Sequence, residues 1–108
     1  MNIYNTIIDM AQAVTPEMVS VRRDFHKYAE TGWIEMRTSS IIARKLKELG
    51  YEVLVGEDVC KKDKRMGVPS EEVLKTAYER AVSQGADSEF IKATKEGLTG
   101  VKGLTYYV

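Results

Sequence analysis

The sequence predicts an α/β fold: one helix-rich domain, residues 1–108, with about four helices and two strands. Three observations carry that prediction. Apolar residues recur every three or four positions through most of the chain, two short segments alternate apolar and polar residues instead, and helical segments separate those two. At 108 residues, 44% apolar and 30% charged, the chain is sized for a single domain with a modest core.

Residues 3–14 place Ile3, Ile7, Met10 and Val14 at helical spacing and predict a short amphipathic helix. Thr15-Pro16 then reads as the start of another. A threonine at the cap accepts from an orphan amide, and proline at the first helical position gives up no hydrogen bond. Met18, Val21, Phe25 and Tyr28 form the face of that second helix, and Gly32 is the expected left-handed stop. A long helix follows over 34–49, with Ile34, Ile41, Ile42, Leu46 and Leu49 as its stripe and Gly50 ending it. "YEVLV" at 51–55 changes the period to two and predicts a strand. After a polar, irregular stretch over 56–69, Ser70 caps a helix that carries Val73, Leu74, Ala77, Tyr78, Ala81 and Val82 on its core side, with Gly85 as the stop. Asp87 is expected to cap a shorter helix running to Gly97, and residues 103–108 to form a second strand. Two strands alone are marginal in water. The sheet is therefore expected either to pair with another copy or to be the front end of a larger fold.

Sixteen basic and sixteen acidic residues cancel, which removes any electrostatic reason to expect nucleic acid or an anionic membrane as partner. The densest basic run, "KKDKR" at 61–65, is broken by Asp63 and reads as a solvated loop. Cys60 is the single cysteine, and the first residues lack a basic region followed by an uninterrupted apolar run. Both features point to a reducing, cytoplasmic setting.

The richest segment for chemistry is "RRDFHKYAETGWIEMRT", residues 22–38, which holds the only histidine and the only tryptophan. A catalytic metal needs about three converging ligands, and no His-x-His, Cys-x-x-Cys or His-Glu-x-x-His spacing occurs. A site built from His26, Glu30 and Cys60, or a His26–Cys60 nucleophilic pair, would need a tertiary coincidence. Glu30 and Glu35 flank Gly32, so their separation is not set by any helix period. Carboxylates so close to helix ends more often cap backbone amides or meet arginines. Arg22 and His26, like Arg23 and Lys27, share a helical face, and Glu30 is within reach of His26 across a turn. The residues themselves therefore predict a joint between helices, with no catalytic and no metal-binding residue.

The order of those residues carries more than their chemistry. Arg22-Arg23-Asp24-Phe25-His26, then Glu30, Gly32, Trp33, Glu35, Arg37-Thr38 and "KLKELGYEV" with its Gly50 resemble the N-terminal signature of a metallopeptidase-like amidohydrolase family. That family includes hippurate hydrolases, N-acyl amino acid hydrolases and auxin-conjugate hydrolases. Ala29 replaces the family's usual proline, and "HKYAETGWIEMRT" and "RMGVP" resemble its aminobenzoyl-glutamate hydrolase branch. The resemblance implies a larger metallopeptidase-like α/β fold that hydrolyses amide bonds with two divalent metal ions, zinc or manganese. It also implies that the ligands of those ions lie in motifs downstream of the matching segment and have no counterpart here. Arg22, Arg23, His26, Glu30, Gly32, Trp33, Glu35, Thr38 and Gly50 are then structural signature positions. The chain is expected to be the N-terminal part of such an enzyme and inactive alone, the parent system having a possible second hydrolase subunit. The alternative is a stand-alone interaction module, a homo-oligomer joined through an exposed sheet edge or helix faces.

Overall fold

A computed structural model describes residues 2–105. Its α/β architecture has three α-helices, two strands and three short 3-10 turns among the described residues: α1 (Ile3–Lys27), α2 (Met36–Glu48), β1 (Glu52–Val55), α3 (Glu71–Ser83) and β2 (Val101–Leu104).

Three α-helices stand where five helical segments were read and about four helices were expected, for two reasons. The first is that residues 3–27 form one continuous helix with Pro16 inside it. Thr15 does not cap; its hydroxyl donates to the Ala11 carbonyl at 3.0 Å, the back-bond of a helix interior. Asn2 caps α1 instead, its side chain accepting from the Tyr4 amide at 2.9 Å. The second is that the segment after Asp87 closes as turns and a 3-10 helix, Ile91–Thr94. Asp87 does act as a cap there, its Oδ1 accepting from the Glu89 and Phe90 amides at 3.0 Å each.

The core lies between α2 and α3. Met36, Leu74, Ala77, Ala81 and Ile91 are its buried members, with Ile34, Val68, Tyr78 and Ala86 packed around them. For α3 the expected face holds at Leu74, Ala77 and Ala81, while Val73 and Val82 face solvent. Ser70 caps α3 as expected, accepting from the Val73 amide.

α2 differs more. It buries Met36, Arg37, Ser39, Ser40 and Ala43, whereas Ile42 and Leu49 of the predicted stripe are exposed. The buried serines are possible because both hydroxyls are bonded. Ser40 donates to the Arg37 carbonyl at 2.7 Å and accepts from the Asp87 amide at 3.0 Å, and Ser39 donates to the Thr99 carbonyl at 2.6 Å.

β1 and β2 pair antiparallel, Glu52 opposite Leu104 and Val55 opposite Val101. The second strand thus starts two residues before the predicted position, and residues 106–108 of that expectation lie outside the described residues. Gly103 fits inside the strand because a Cβ there would come within 3.3 Å of Leu46 on α2 and of Tyr51. No described helix is long and apolar enough to cross a membrane.

α1 stands apart from this arrangement. None of its residues is buried, and it stretches the molecule to 56 × 34 × 24 Å. Side-chain bridges join it to α2: Glu17 to Lys45 at 2.7 Å and Asp24 to Arg37 at 2.9 Å. Residue 17 lies against 45 and residue 24 against 37, so the two helices run antiparallel.

Candidate functional site

The segment richest in candidate residues is the turn between α1 and α2. α1 ends at Lys27, where the Tyr28 amide donates to the Asp24 carbonyl at 3.1 Å. The chain then reverses without using Gly32 as the left-handed residue. Trp33 takes that conformation, φ 69°, which costs a side-chain-bearing residue about 1 kcal/mol or more. Two long-range contacts hold it there. The Trp33 indole N–H donates to the Met66 carbonyl at 2.9 Å, and the Arg65 guanidinium lies 5.6 Å from the ring centre. Arg65 in turn donates to the carbonyls of Lys62 and Glu96, so the basic loop read as merely solvated is fastened at its last residue.

This turn delivers Glu30 to the start of α2. Its two carboxylate oxygens accept from the Arg37 amide at 2.9 Å and the Thr38 amide at 2.8 Å. A residue outside the helix thereby satisfies two of its four orphan donors and places negative charge at the positive end of the dipole. Glu35 accepts instead from the Thr99 hydroxyl at 2.8 Å. The two glutamates expected to flank the joint are therefore capping and bracing groups. The predicted approach of Glu30 to His26 is replaced by the amide cap.

Arg37 is the residue that sequence reasoning passed over. It is buried, forms a two-pronged ion pair with Asp24 at 2.9 Å, donates to the Gln84 carbonyl at 2.8 Å and stacks on the Tyr28 ring at 4.3 Å. It ties α1, α2 and the end of α3 together. Its position beside Thr38 in the signature was the available signal.

The remaining signature positions do not converge. Arg23 and His26 are exposed on α1, and Arg22 lines an open groove beside α2. Gly32 is exposed with open space around it, and Gly50 takes φ 91° just after α2. Cys60 sits beside Glu57, Lys61, Lys62, Asp63 and Arg65, a lining that excludes His26. Among the described residues no three of His, Cys, Asp and Glu come together as metal ligands.

One further polar cluster fastens the turn after α3. Arg44 donates to Asp87 at 2.7 Å and to Glu89 at 2.6 Å, and lies 5.2 Å from the Phe90 ring centre. The Arg44 guanidinium, helped by the Phe90 and Glu89 amides, holds the Asp87 carboxyl below the usual range despite partial burial.

No protein-family model matches the chain. It is 46% identical over 86 residues to an indole-3-acetyl-aspartic acid hydrolase of Enterobacter agglomerans, 80% of this chain and 20% of that protein. It is 43% identical over 89 residues to one polypeptide of the p-aminobenzoyl-glutamate hydrolase of Escherichia coli K12, 82% of this chain and 20% of that one. The crystal structure of an aminobenzoyl-glutamate utilization protein from Klebsiella pneumoniae superposes with a TM-score of 0.86 at 44% identity, covering 88% of this chain and 24% of that one. The chain thus spans about a fifth of the length of the curated relatives it matches.

Proposed function

We infer, from this likeness to a fifth of each hydrolase, that the chain is the N-terminal framework part of an aminobenzoyl-glutamate hydrolase-like amidohydrolase. The parent reaction is hydrolysis of the amide bond of an N-acyl amino acid such as p-aminobenzoyl-glutamate. The observation that carries the reading is the joint. The sequence order shared with that family maps onto a cap by Glu30, a brace by Arg37 and a clamp by Trp33. All three roles are structural. Zinc or manganese belongs to the parent enzyme, whose ligands would come from segments beyond the matching fifth, and no step of the chemistry is assigned to residues of this chain. A cytoplasmic setting is consistent with the single Cys60.

Incubating the purified chain with p-aminobenzoyl-glutamate and excess manganese or zinc should release no p-aminobenzoate. Turnover that survives removal of contaminating hydrolase overturns the reading. Adding the complementary four-fifths of the Escherichia coli polypeptide gives the positive arm, since a framework piece should restore turnover where an unrelated module would not. A second reading, a self-associating module, is favoured by one observation, the unpartnered apolar face of α1.

A further inference from the structure

The apolar residues of α1 form one unbroken ridge. Ile3, Ile7, Met10, Val14, Met18, Val21 and Phe25 follow at intervals of four, three, four, four, three and four, which repeats every eleven residues. An eleven-residue repeat matches the turn of a straight helix more closely than a heptad, so the ridge stays on one face for all of α1. Ile3, Met10 and Met18 are 67%, 66% and 63% exposed, and the others are at least partly open.

The two halves of the ridge have different surroundings. From Val14 to Phe25 it forms one wall of a groove of about 630 Å³, with Lys45 of α2 and Leu49 just beyond that helix as the other wall. From Ile3 to Met10 the ridge is more than half exposed, with no facing wall among the described residues. One stretch of α1, about 16 Å long, is therefore a socket and the other, about 10 Å long, a bare ridge.

We propose that a second copy of this chain fills the socket, the two α1 helices crossing antiparallel about a two-fold axis at Val14. The spacing reads the same in both directions about that residue. Ile3 of one copy meets Phe25 of the other, Ile7 meets Val21, Met10 meets Met18 and Val14 meets its own counterpart. The first half of each ridge enters the other copy's groove and covers Leu49, which is 62% exposed. The arrangement is isologous and closed, so it stops at a dimer. The ridge is flanked in its first half by Tyr4, Thr6, Ala11 and Ala13. The entering ridge brings no charge of its own, the Glu17 and Lys45 that line the receiving groove are already paired with each other, and Tyr4 is brought towards Arg22 of the other copy, a cation–π pairing. The proposal does not rest on the hydrolase reading.

Sedimentation equilibrium of the intact chain tests it. The chain should be a dimer, and Ile7→Asp should raise its dissociation constant by about a hundredfold, because the charge enters both copies. Circular dichroism should show the fold retained, since no residue of α1 is buried. In a Cys60→Ser background, oxidation of Val14→Cys should give a covalent dimer, while Gln12→Cys, on the opposite side of α1, should not. A chain that stays monomeric at high concentration overturns the proposal, as does a dimer indifferent to Ile7→Asp or one linked equally through residue 12. A monomer is also the result expected if a segment of a longer protein, rather than a second copy, covers the ridge.

Discussion

Glu30 stands outside α2 yet binds the amides of two of its first residues. Replacing it with alanine leaves both donors without their acceptor and should cost about 2 kcal/mol of stability, read as a lowered urea midpoint. Glu30→Gln retains acceptor oxygen but loses the charge, and should cost less. Asp87 offers a pH-dependent counterpart. Its carboxyl titrates lower in the folded chain than in the unfolded one, chiefly through Arg44. The folded state therefore binds fewer protons, and the stabilisation is complete above the ordinary carboxylate range and lost as pH falls through the lowered value. Urea midpoints measured against pH should decline on acidification, and Asp87→Asn should remove part of that slope. Glu30 and Asp87 as capping groups were legible in the sequence, because short carboxylate-bearing stretches before apolar runs have few other uses. Which amides Glu30 reaches was not legible. That depends on Trp33 adopting φ 69° under a hydrogen bond to Met66, a residue 33 positions away that no local pattern encodes.

At the scale of elements, α1 shows how a local signal is outvoted. Thr-Pro is a good helix start, yet the apolar ridge keeps its phase from Ile3 to Phe25. A break at Pro16 would have reset that phase, so continuity could be read from the sequence by giving the period priority over the dipeptide. Proline inside the helix still leaves the Gln12 carbonyl without its usual donor, a local weakness. The same helix buries nothing, which yields a direct prediction. Removing residues 2–14 should leave the melting temperature of a monomeric sample nearly unchanged, whereas shortening α3 by one turn should abolish cooperative unfolding. Differential scanning calorimetry at low protein concentration distinguishes the two. α2 was misread for a different reason. Its buried face is small and polar, and Ser39 and Ser40 can be inside only because Thr99 and Asp87, some 60 and 47 residues later, supply their partners. Hydrophobic periodicity has no means of seeing such long-range satisfaction.

For the whole molecule, the radius of gyration of 16.3 Å exceeds the roughly 13 Å of a compact chain near this length. The excess is the projecting α1, and the small core between α2 and α3 has to support the rest. The α/β class, the first strand and the Leu74, Ala77 and Ala81 part of the α3 face could be read in advance, because each depends on local period, whereas Val73, Val82 and the start of the second strand were misplaced. The spatial relation of α1 to the remainder could not, since the two side-chain bridges that set it join residues 28 and 13 positions apart. The placement of Trp33 has an optical consequence. As the only tryptophan, its indole is anchored to the 62–69 segment at the closed end of the molecule, while the bare ridge of α1 carries Tyr4 at its far end. Fluorescence emission at long wavelength therefore reports whether the joint is closed and is silent about assembly along α1. Folding and association can be followed in one sample as two separate signals, without a label.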